Sequence, residues 1–306
     1  MRAGVVSPLS SQMPTAALDA ARPDVESDAH AAAVRAAVGE RLAAGTFEVP
    51  LLPQVASQVS IMAGTADADA ARLSALIHRD PVLAGHVLRI ANSPAYMPRM
   101  PIVSLQQAVA RLGLQVVAEI AFAASLQSGV FRVPGYESVL KQLWRHALAS
   151  GAFAKEIART RRSNVESAFL CGLLHAVGRP AMLQLVTDAA KALRLTLPPA
   201  RVFTLLDDGH QRVGTIVAAR WQLPRPVAAA IAHYADYRQA SAFQHEIMVT
   251  FLADRLATHL TVADAFDDET VRDHAVFADL NLYPDDVTAL LAKKESVART
   301  VDALMV

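Results

Sequence analysis

Leu173-Leu174-His175-Ala176-Val177-Gly178 is the stretch that decides how this chain of 306 residues is built. A histidine followed by an aspartate there would offer a neutral imidazole and a carboxylate to divalent metal ions. Residue 176 is instead alanine, and its methyl group has no lone pair to offer. The stretch therefore offers one possible metal ligand, His175, without a carboxylate at the next position.

The overall composition narrows the function classes. Hydrophobic residues make up 53% of the chain, and the 29 Lys and Arg residues balance the 29 Asp and Glu residues. Without a net basic charge, electrostatic attraction to nucleic acid or to an anionic membrane is not expected. The single cysteine, Cys171, excludes an internal disulfide and suits a reducing cytosol. We expect a cytoplasmic protein that neither binds nucleic acid nor inserts into a membrane.

Glycine and proline fall at the edges of apolar-periodic segments, which predicts a nearly all-helical fold. Asp80 before Pro81 pairs an N-cap acceptor with proline at the first helical position, and Ser104 with Gln107 fits a capping box. Gly113 indicates a helix end. Helices are predicted near 29–44, 54–64, 68–78, 81–92, 104–112, 114–128, 137–160, 164–176, 180–194, 200–206, 210–221, 224–236, 242–259 and 285–303.

Three stretches in order carry a family resemblance. The first runs from Val49-Pro50-Leu51-Leu52-Pro53 through Ile77-His78-Arg79-Asp80-Pro81 and Leu88-Arg89-Ile90-Ala91-Asn92-Ser93-Pro94-Ala95-Tyr96 to Arg111-Leu112-Gly113. The second is Leu143-Trp144-Arg145-His146, and the third is Gly172-Leu173-Leu174-His175-Ala176-Val177-Gly178. Together they resemble the HDOD family (HD-related output domain), bacterial signalling modules related to metal-dependent HD phosphohydrolases.

The resemblance implies an all-α, two-lobed helical bundle whose C-terminal lobe is HD-like. We expect the HDOD-like domain over 46–250, with an N-terminal helical lobe at 46–130 and the HD-like lobe at 131–250. Before it we expect a disordered leader over 1–28 and an N-terminal helix over 29–45. After it we expect a C-terminal helical extension over 251–306, which includes an exposed acidic loop at 264–286.

The resemblance also implies where a metal site would lie. The matching positions are His146, His175 and Asp254, with Ala176 in place of the remaining aspartate. His210 and His233 fall where longer relatives place extra ligands, and the histidine doublet found in some of them is reduced here to His233-Tyr234. These five polar residues, His146, His175, His210, His233 and Asp254, are called the vestigial site below.

Two interpretations of the vestigial site remain open. Its members are inherited polar groups that satisfy one another in a buried junction, or they still hold a metal through His146, His175 and Asp254. Because two-metal hydrolysis needs a bridging ligand, we expect no enzyme, no catalytic residue and no cofactor.

The function expected is a noncatalytic bacterial signal-transduction module that recognises a protein partner or a ligand. The alternative is a metal-dependent phosphohydrolase or phosphodiesterase that acts on a nucleotide or cyclic dinucleotide. A third hypothesis is a sensor that binds a cyclic dinucleotide without turnover. It requires inward cationic groups, for which Arg145 and Arg179 are the candidates, although Arg145 is expected to point away from the neighbouring His146.

Overall fold

The computed structural model describes residues 25–62, 70–96, 100–262, 268–272 and 274–305, and within these ranges it contains helices and no strand. The all-α prediction is confirmed. The helices are α1 (Val25–Ala43), α2 (Gln54–Met62), α3 (Ala70–His78), α4 (Pro81–Ala91), α5 (Leu105–Leu112), α6 (Leu114–Gln127), α7 (Glu137–Arg161), α8 (Val165–Leu174), α9 (Gly178–Leu193), α10 (Pro199–Arg220), α11 (Arg225–His233), α12 (Gln244–Thr261), α13 (Asp268–Arg272), α14 (Val276–Asp279), α15 (Pro284–Leu291) and α16 (Lys294–Leu304).

The predicted helix caps form. The Asp80 carboxylate accepts hydrogen bonds from the backbone N–H groups of Val82 and Leu83, both at 3.0 Å. Ser104 Oγ accepts from the backbone N–H of Gln107 at 3.1 Å, and Gly113 separates α5 from α6 at a φ of 84°. These local signals set the helix starts and ends because they satisfy backbone groups that a helix end leaves unpaired.

The helices pack into two lobes. In the first lobe α2, α4 and α5 surround α6, whose residues from Val117 to Leu126 are all buried. In the second lobe the long helix α7 packs against α8 and α12, and α9 packs along α10. The N-terminal helix α1 lies on α9 and α10. The two-lobed bundle expected from the sequence is therefore present.

Two predicted helix boundaries are wrong. The separate helices at 200–206 and 210–221 form the single helix α10. Gly209 lies inside this helix and does not end it. A Cβ at that position would lie 2.5 Å from Met182 Cε, so the glycine permits close packing of α9 on α10. In the opposite sense, the helix predicted over 285–303 is two helices, α15 and α16, with a turn at 292–293.

Several of the predicted domain limits fall within helices and not between them. The limit at residue 250 falls inside α12, which continues to Thr261. The acidic segment 264–286 is described in part and contains α13 and α14 as well as the start of α15, so it is not simply a loop. The predicted leader, residues 1–28, lies outside the described residues except for its last turn, which begins α1.

One stretch of the described chain, Val165–Leu193, is long and apolar enough to match a membrane span by composition. It covers α8 and α9, and 89% of its most apolar window is buried inside the fold. Core helices of this kind pass the same test of length and hydropathy. The burial accounts for the apolar character of this stretch through packing in the second lobe.

Candidate functional site

The centre of the vestigial site lies where three helices of the second lobe meet. His146 projects from α7, His175 follows the end of α8, and Asp254 projects from α12. His146 Nε2 lies 2.8 Å from Asp254 Oδ1, and His175 Nε2 lies 3.0 Å from the same oxygen. The structure thus brings together the three residues that the resemblance proposed as ligands.

The far side of each imidazole is held by an oxygen. His175 Nδ1 lies 2.6 Å from the Gly172 carbonyl oxygen, and His146 Nδ1 lies 3.3 Å from Thr261 Oγ1. The Thr261 hydroxyl donates its own hydrogen to the Ala257 carbonyl, so toward His146 it presents a lone pair. Both rings therefore donate from Nδ1. In its neutral form each ring then turns the lone pair of Nε2 toward Asp254.

This orientation is the one that metal-ligating histidines use, with Nδ1–H held by an outer oxygen and Nε2 free to bind. One donor atom from each of the three side chains lies within 4.8 Å of the others. The set fits a single divalent ion. It does not fit a two-ion centre, because the next residue, Ala176, brings no carboxylate.

Asp254 is held as a carboxylate. Burial alone would raise the pKa of this carboxyl group, but the hydrogen bonds and charges of His146 and His175 outweigh burial and lower its pKa well below the usual range. If both Nε2 atoms present lone pairs to the one anionic oxygen that they share, they repel it. A proton on a ring, or a metal ion between the three donor atoms, supplies the positive charge that removes this repulsion.

Tyr234 joins the site and was not predicted as a member of it. It is 6% exposed, and its ring meets the His175 ring edge to face, with the centroids 4.6 Å apart. Its hydroxyl lies 2.9 Å from His210 Nε2. His210 therefore reaches the site through Tyr234 and not by direct contact with Asp254.

His233 is the one predicted member of the vestigial site that the described contacts do not join to it. It ends α11, and neighbouring residues on a helix point in directions about 100° apart. Tyr234 takes the inward direction, and so His233 lies to one side, half-buried. The only sequence signal for Tyr234 was its position beside His233 in the reduced doublet, and that doublet does not show which of its two residues turns inward.

The two arginines proposed for a ligand sensor have different surroundings. Arg179 is buried and donates to Asp207 Oδ1 at 2.7 Å, while its charge also acts on Tyr234. Arg145 is partly exposed and donates to Asp302 Oδ1 at 2.7 Å. Only Arg179 therefore lies beside the vestigial site, as the helical spacing of Arg145 and His146 predicts.

Two glycines set the packing next to the site. A Cβ on Gly178, at the start of α9, would lie 2.6 Å from Gly214 N and closer still to the His210 carbonyl oxygen on α10. A Cβ on Gly214 would lie 2.9 Å from Ile231 Cγ2 on α11. The absence of side chains at these two positions lets three helices cross closely, which fixes where His210 stands.

A family model for the HDOD domain matches residues 49–237, which is more than half of the chain. The chain belongs to the HDOD family. The match includes His146, His175 and His210, whereas Asp254 lies beyond its end, on α12.

Solved structures share the fold of this HDOD protein. An HDOD domain protein of unknown function from Geobacter sulfurreducens superposes with a TM-score of 0.69 at 21% identity, covering 87% of this chain and 96% of that one. A candidate phosphohydrolase from Shewanella amazonensis SB2B gives a TM-score of 0.66 at 20% identity, covering 89% of this chain and 98% of that one.

A third structure, a candidate signal transduction protein from Marinobacter aquaeolei VT8, gives a TM-score of 0.63 at 21% identity, with coverages of 88% and 66%. These similarities establish the fold. A protein from Treponema pallidum (strain Nichols), uncharacterized in function, is 29% identical over 191 residues. That match spans 59% of this chain and only 36% of the relative.

Proposed function

We propose that this HDOD protein is a noncatalytic signal-transduction module that acts by recognition. The observation that carries the proposal is the make-up of its polar centre: one carboxylate shared by two histidines, alanine at the next position, and a buried tyrosine against one of the histidines. Such a centre lacks the bridging ligand that two-metal phosphoester hydrolysis requires.

Recognition falls to the protein surface, and the first lobe offers exposed apolar side chains for it. Met100 and Val103 are exposed, on either side of the buried Ile102. Met97, which the sequence places in the same loop, lies outside the described residues. A flexible methionine beside prolines suits contact with a signalling protein partner in the cytoplasm. Nucleic acid and membrane insertion form no part of the proposal.

A second candidate is a site for one divalent metal ion formed by His146, His175 and Asp254. The orientation of both Nε2 atoms toward one carboxylate oxygen, with both Nδ1 atoms held from behind, favours it. A bound ion would supply a positive charge and a Lewis acid at this point. If it also supported turnover, the alternative of a phosphohydrolase or phosphodiesterase acting on nucleotides would follow.

The deciding experiment is elemental mass spectrometry of untagged protein purified without chelator, followed by phosphodiesterase assays with added manganese, iron or zinc. The matched variants are His146→Ala, which removes a donor, and His233→Ala, which removes a histidine outside the cluster. The proposal predicts no hydrolysis in any of the three proteins. Hydrolysis that is lost in H146A but retained in H233A would establish the enzyme.

A substitution at residue 176 tests whether the carboxylate beside His175 is the one group that a metal site here lacks. Ala176 is 9% exposed, so Ala176→Asp introduces a buried carboxylate. We expect a loss of stability of several kcal/mol without metal, since an unpaired buried charge is costly. Recovery of stability with added manganese, in thermal unfolding, would instead indicate a site that needs only this ligand.

The sensor hypothesis is tested by thermal unfolding with cyclic dinucleotides. A ligand at 100 times its Kd stabilises the folded state by about 2.7 kcal/mol. The noncatalytic recognition of a protein predicts no shift. A shift that disappears in Arg179→Met would assign the ligand to the polar centre.

A further inference from the structure

The buried apolar side chains form one cluster that runs through both lobes. Within this cluster the helices of different lobes lie less closely than those of one lobe, since none of the described helices α2 to α6 runs closely along one of α7 to α12. Side-chain hydrogen bonds also cross the junction. Lys155 on α7 donates to the carboxylate of Glu119 on α6, and Trp221 Nε1 donates to the Pro50 carbonyl at 2.7 Å. The chain itself joins the lobes through residues 128–136.

That connection contains two glycines with positive φ angles, Gly129 at 111° and Gly135 at 86°. Such backbone angles are ones that glycine adopts without strain. Phe131, between them, packs against Trp221 with the ring centroids 6.1 Å apart. The connection is thus a bend that is anchored at its middle, next to the tie between Trp221 and Pro50.

The C-terminal helix α16 packs against both lobes, on α7 of the second and on α6 of the first. It buries three apolar side chains at helical spacing, Val297, Val301 and Leu304. Side chains at i, i+4 and i+7 lie on one face of a helix, so a single apolar stripe covers the junction.

Polar contacts fix both ends of α16. On the second lobe, Arg145 donates to Asp302 at 2.7 Å, and Lys294 Nζ lies 3.3 Å from His259 Nε2. On the first lobe, Gln127 Nε2 donates to the Leu304 carbonyl at 2.9 Å, and Arg89 donates to the Met305 carbonyl at 3.3 Å. The last turn of α16 is therefore held by α6 and α4, and its beginning by α12.

We propose that α16 is a releasable strap that holds the two lobes of the module in one orientation. It has 11 residues, which is too short for a helix to be stable in water without the packing of its apolar face. Its ion pair with Arg145 is exposed at both partners and adds little. Release of this stripe removes part of the apolar burial at the junction, so that the lobes can turn about residues 128–136.

This proposal goes beyond the recognition function, because it concerns the relative position of the lobes and not the polar centre. The strap also lies outside residues 49–237, the range that the HDOD model matches. An input that displaces α16 would change the shape that the module presents to a partner.

The test measures the distance between the lobes in the full chain. Spin labels are attached at Gln106→Cys on α5 and Lys191→Cys on α9, both exposed positions, while native Cys171 is fully buried. The strap is released by Val301→Asp. The control is Ala292→Asp, which adds the same charge at an exposed position beside α16. Double electron–electron resonance gives the distance distribution, and circular dichroism gives helix content.

We expect one narrow distance peak in the parent protein and in A292D, and loss of that single peak in folded V301D. If V301D loses its helix content, Val301→Ala combined with Leu304→Ala provides the milder test, because it shortens the apolar stripe without adding a charge. This double variant should broaden the peak. A parent-like peak in folded V301D, or in the folded double variant, would overturn the proposal.

Discussion

Gly178→Ala is the substitution whose effect is most directly set by the geometry. The added Cβ would stand 2.6 Å from Gly214 N and nearer to the His210 carbonyl oxygen, and both of these atoms belong to the backbone of α10. A backbone cannot rotate away as a side chain can. To bring the nearer of these atoms, the His210 carbonyl oxygen, to ordinary contact at 3.4 Å, α9 and α10 must separate locally by about 1.5 Å.

The cost follows from the contacts that such a separation weakens. A gap of about 1 Å already removes about half of the dispersion energy of each atom pair across it. A buried leucine-sized side chain has about 50 contacts of about 0.15 kcal/mol each, and if about half of them cross the gap the loss is about 2 kcal/mol. Two such side chains along the α9–α10 contact give about 4 kcal/mol. The better helix propensity of alanine returns under about 1 kcal/mol, because Gly178 is the first residue of α9 and not an interior one.

The expected result is a loss of about 3 kcal/mol, measured by urea unfolding at pH 7, with Tm lower by about 6 °C. Gly85→Ala is the control. Gly85 lies within α4, and a Cβ there meets nothing within 4 Å, so we expect a gain of about 1 kcal/mol. An unfolding midpoint for G178A at or above that of the parent protein would refute the reasoning.

Three further outcomes are expected. Glu119→Gln should cost about 3 kcal/mol in urea unfolding because it leaves the partly buried ammonium group of Lys155 without its carboxylate. Adding Lys155→Met should recover most of this loss, and equal stabilities of E119Q and the parent would contradict the prediction. His210 has a pKa lowered from 6.5 to about 4, first by burial and then by Arg179. The contribution of neutral His210 to the free energy of unfolding is therefore complete above pH 6.5 and is lost as the pH falls toward 4. At pH 5 the loss is about 2 kcal/mol. In His210→Gln this loss should be absent from a pH series of Tm values, and an unchanged pH profile would exclude it. Asn92→Ala should cost about 2 kcal/mol in urea unfolding. The Asn92 amide donates to the Leu88 and Ile102 carbonyls and accepts from the Ile102 backbone N–H, each at 2.8 Å. A cost near zero would show that these hydrogen bonds do not stabilise the fold.

The helices could be predicted wherever the signal was local. The Asp80-Pro81 start and the Gly113 stop depend on side chains and φ angles within a few residues, and both are confirmed. The break predicted at Asp207-Asp208-Gly209 is wrong for a tertiary reason. The glycine there serves the neighbouring helix, where Met182 needs the space, and sequence spacing does not show which helix will be the neighbour.

The site could be predicted in part. The convergence of His146, His175 and Asp254 was expected from the family resemblance, and the geometry contains it. The roles of Tyr234 and His233 depend on which of two adjacent residues turns inward at the end of α11, a rotation that no local pattern fixes. The pairing of Lys155 with Glu119 could not be predicted either, since only the packing of the two lobes brings these side chains together.

The sharing of one Asp254 oxygen by two imidazoles has a consequence for how such sites persist. Loss of the aspartate removes a partner from both histidines at once, and loss of either histidine leaves a buried carboxylate with weaker compensation. Selection for folding alone would therefore be enough to retain all three side chains, whether or not the site turns over a substrate. Two histidines and an aspartate that depend on one another in this way are explained by stability, so their presence does not by itself identify a working enzyme.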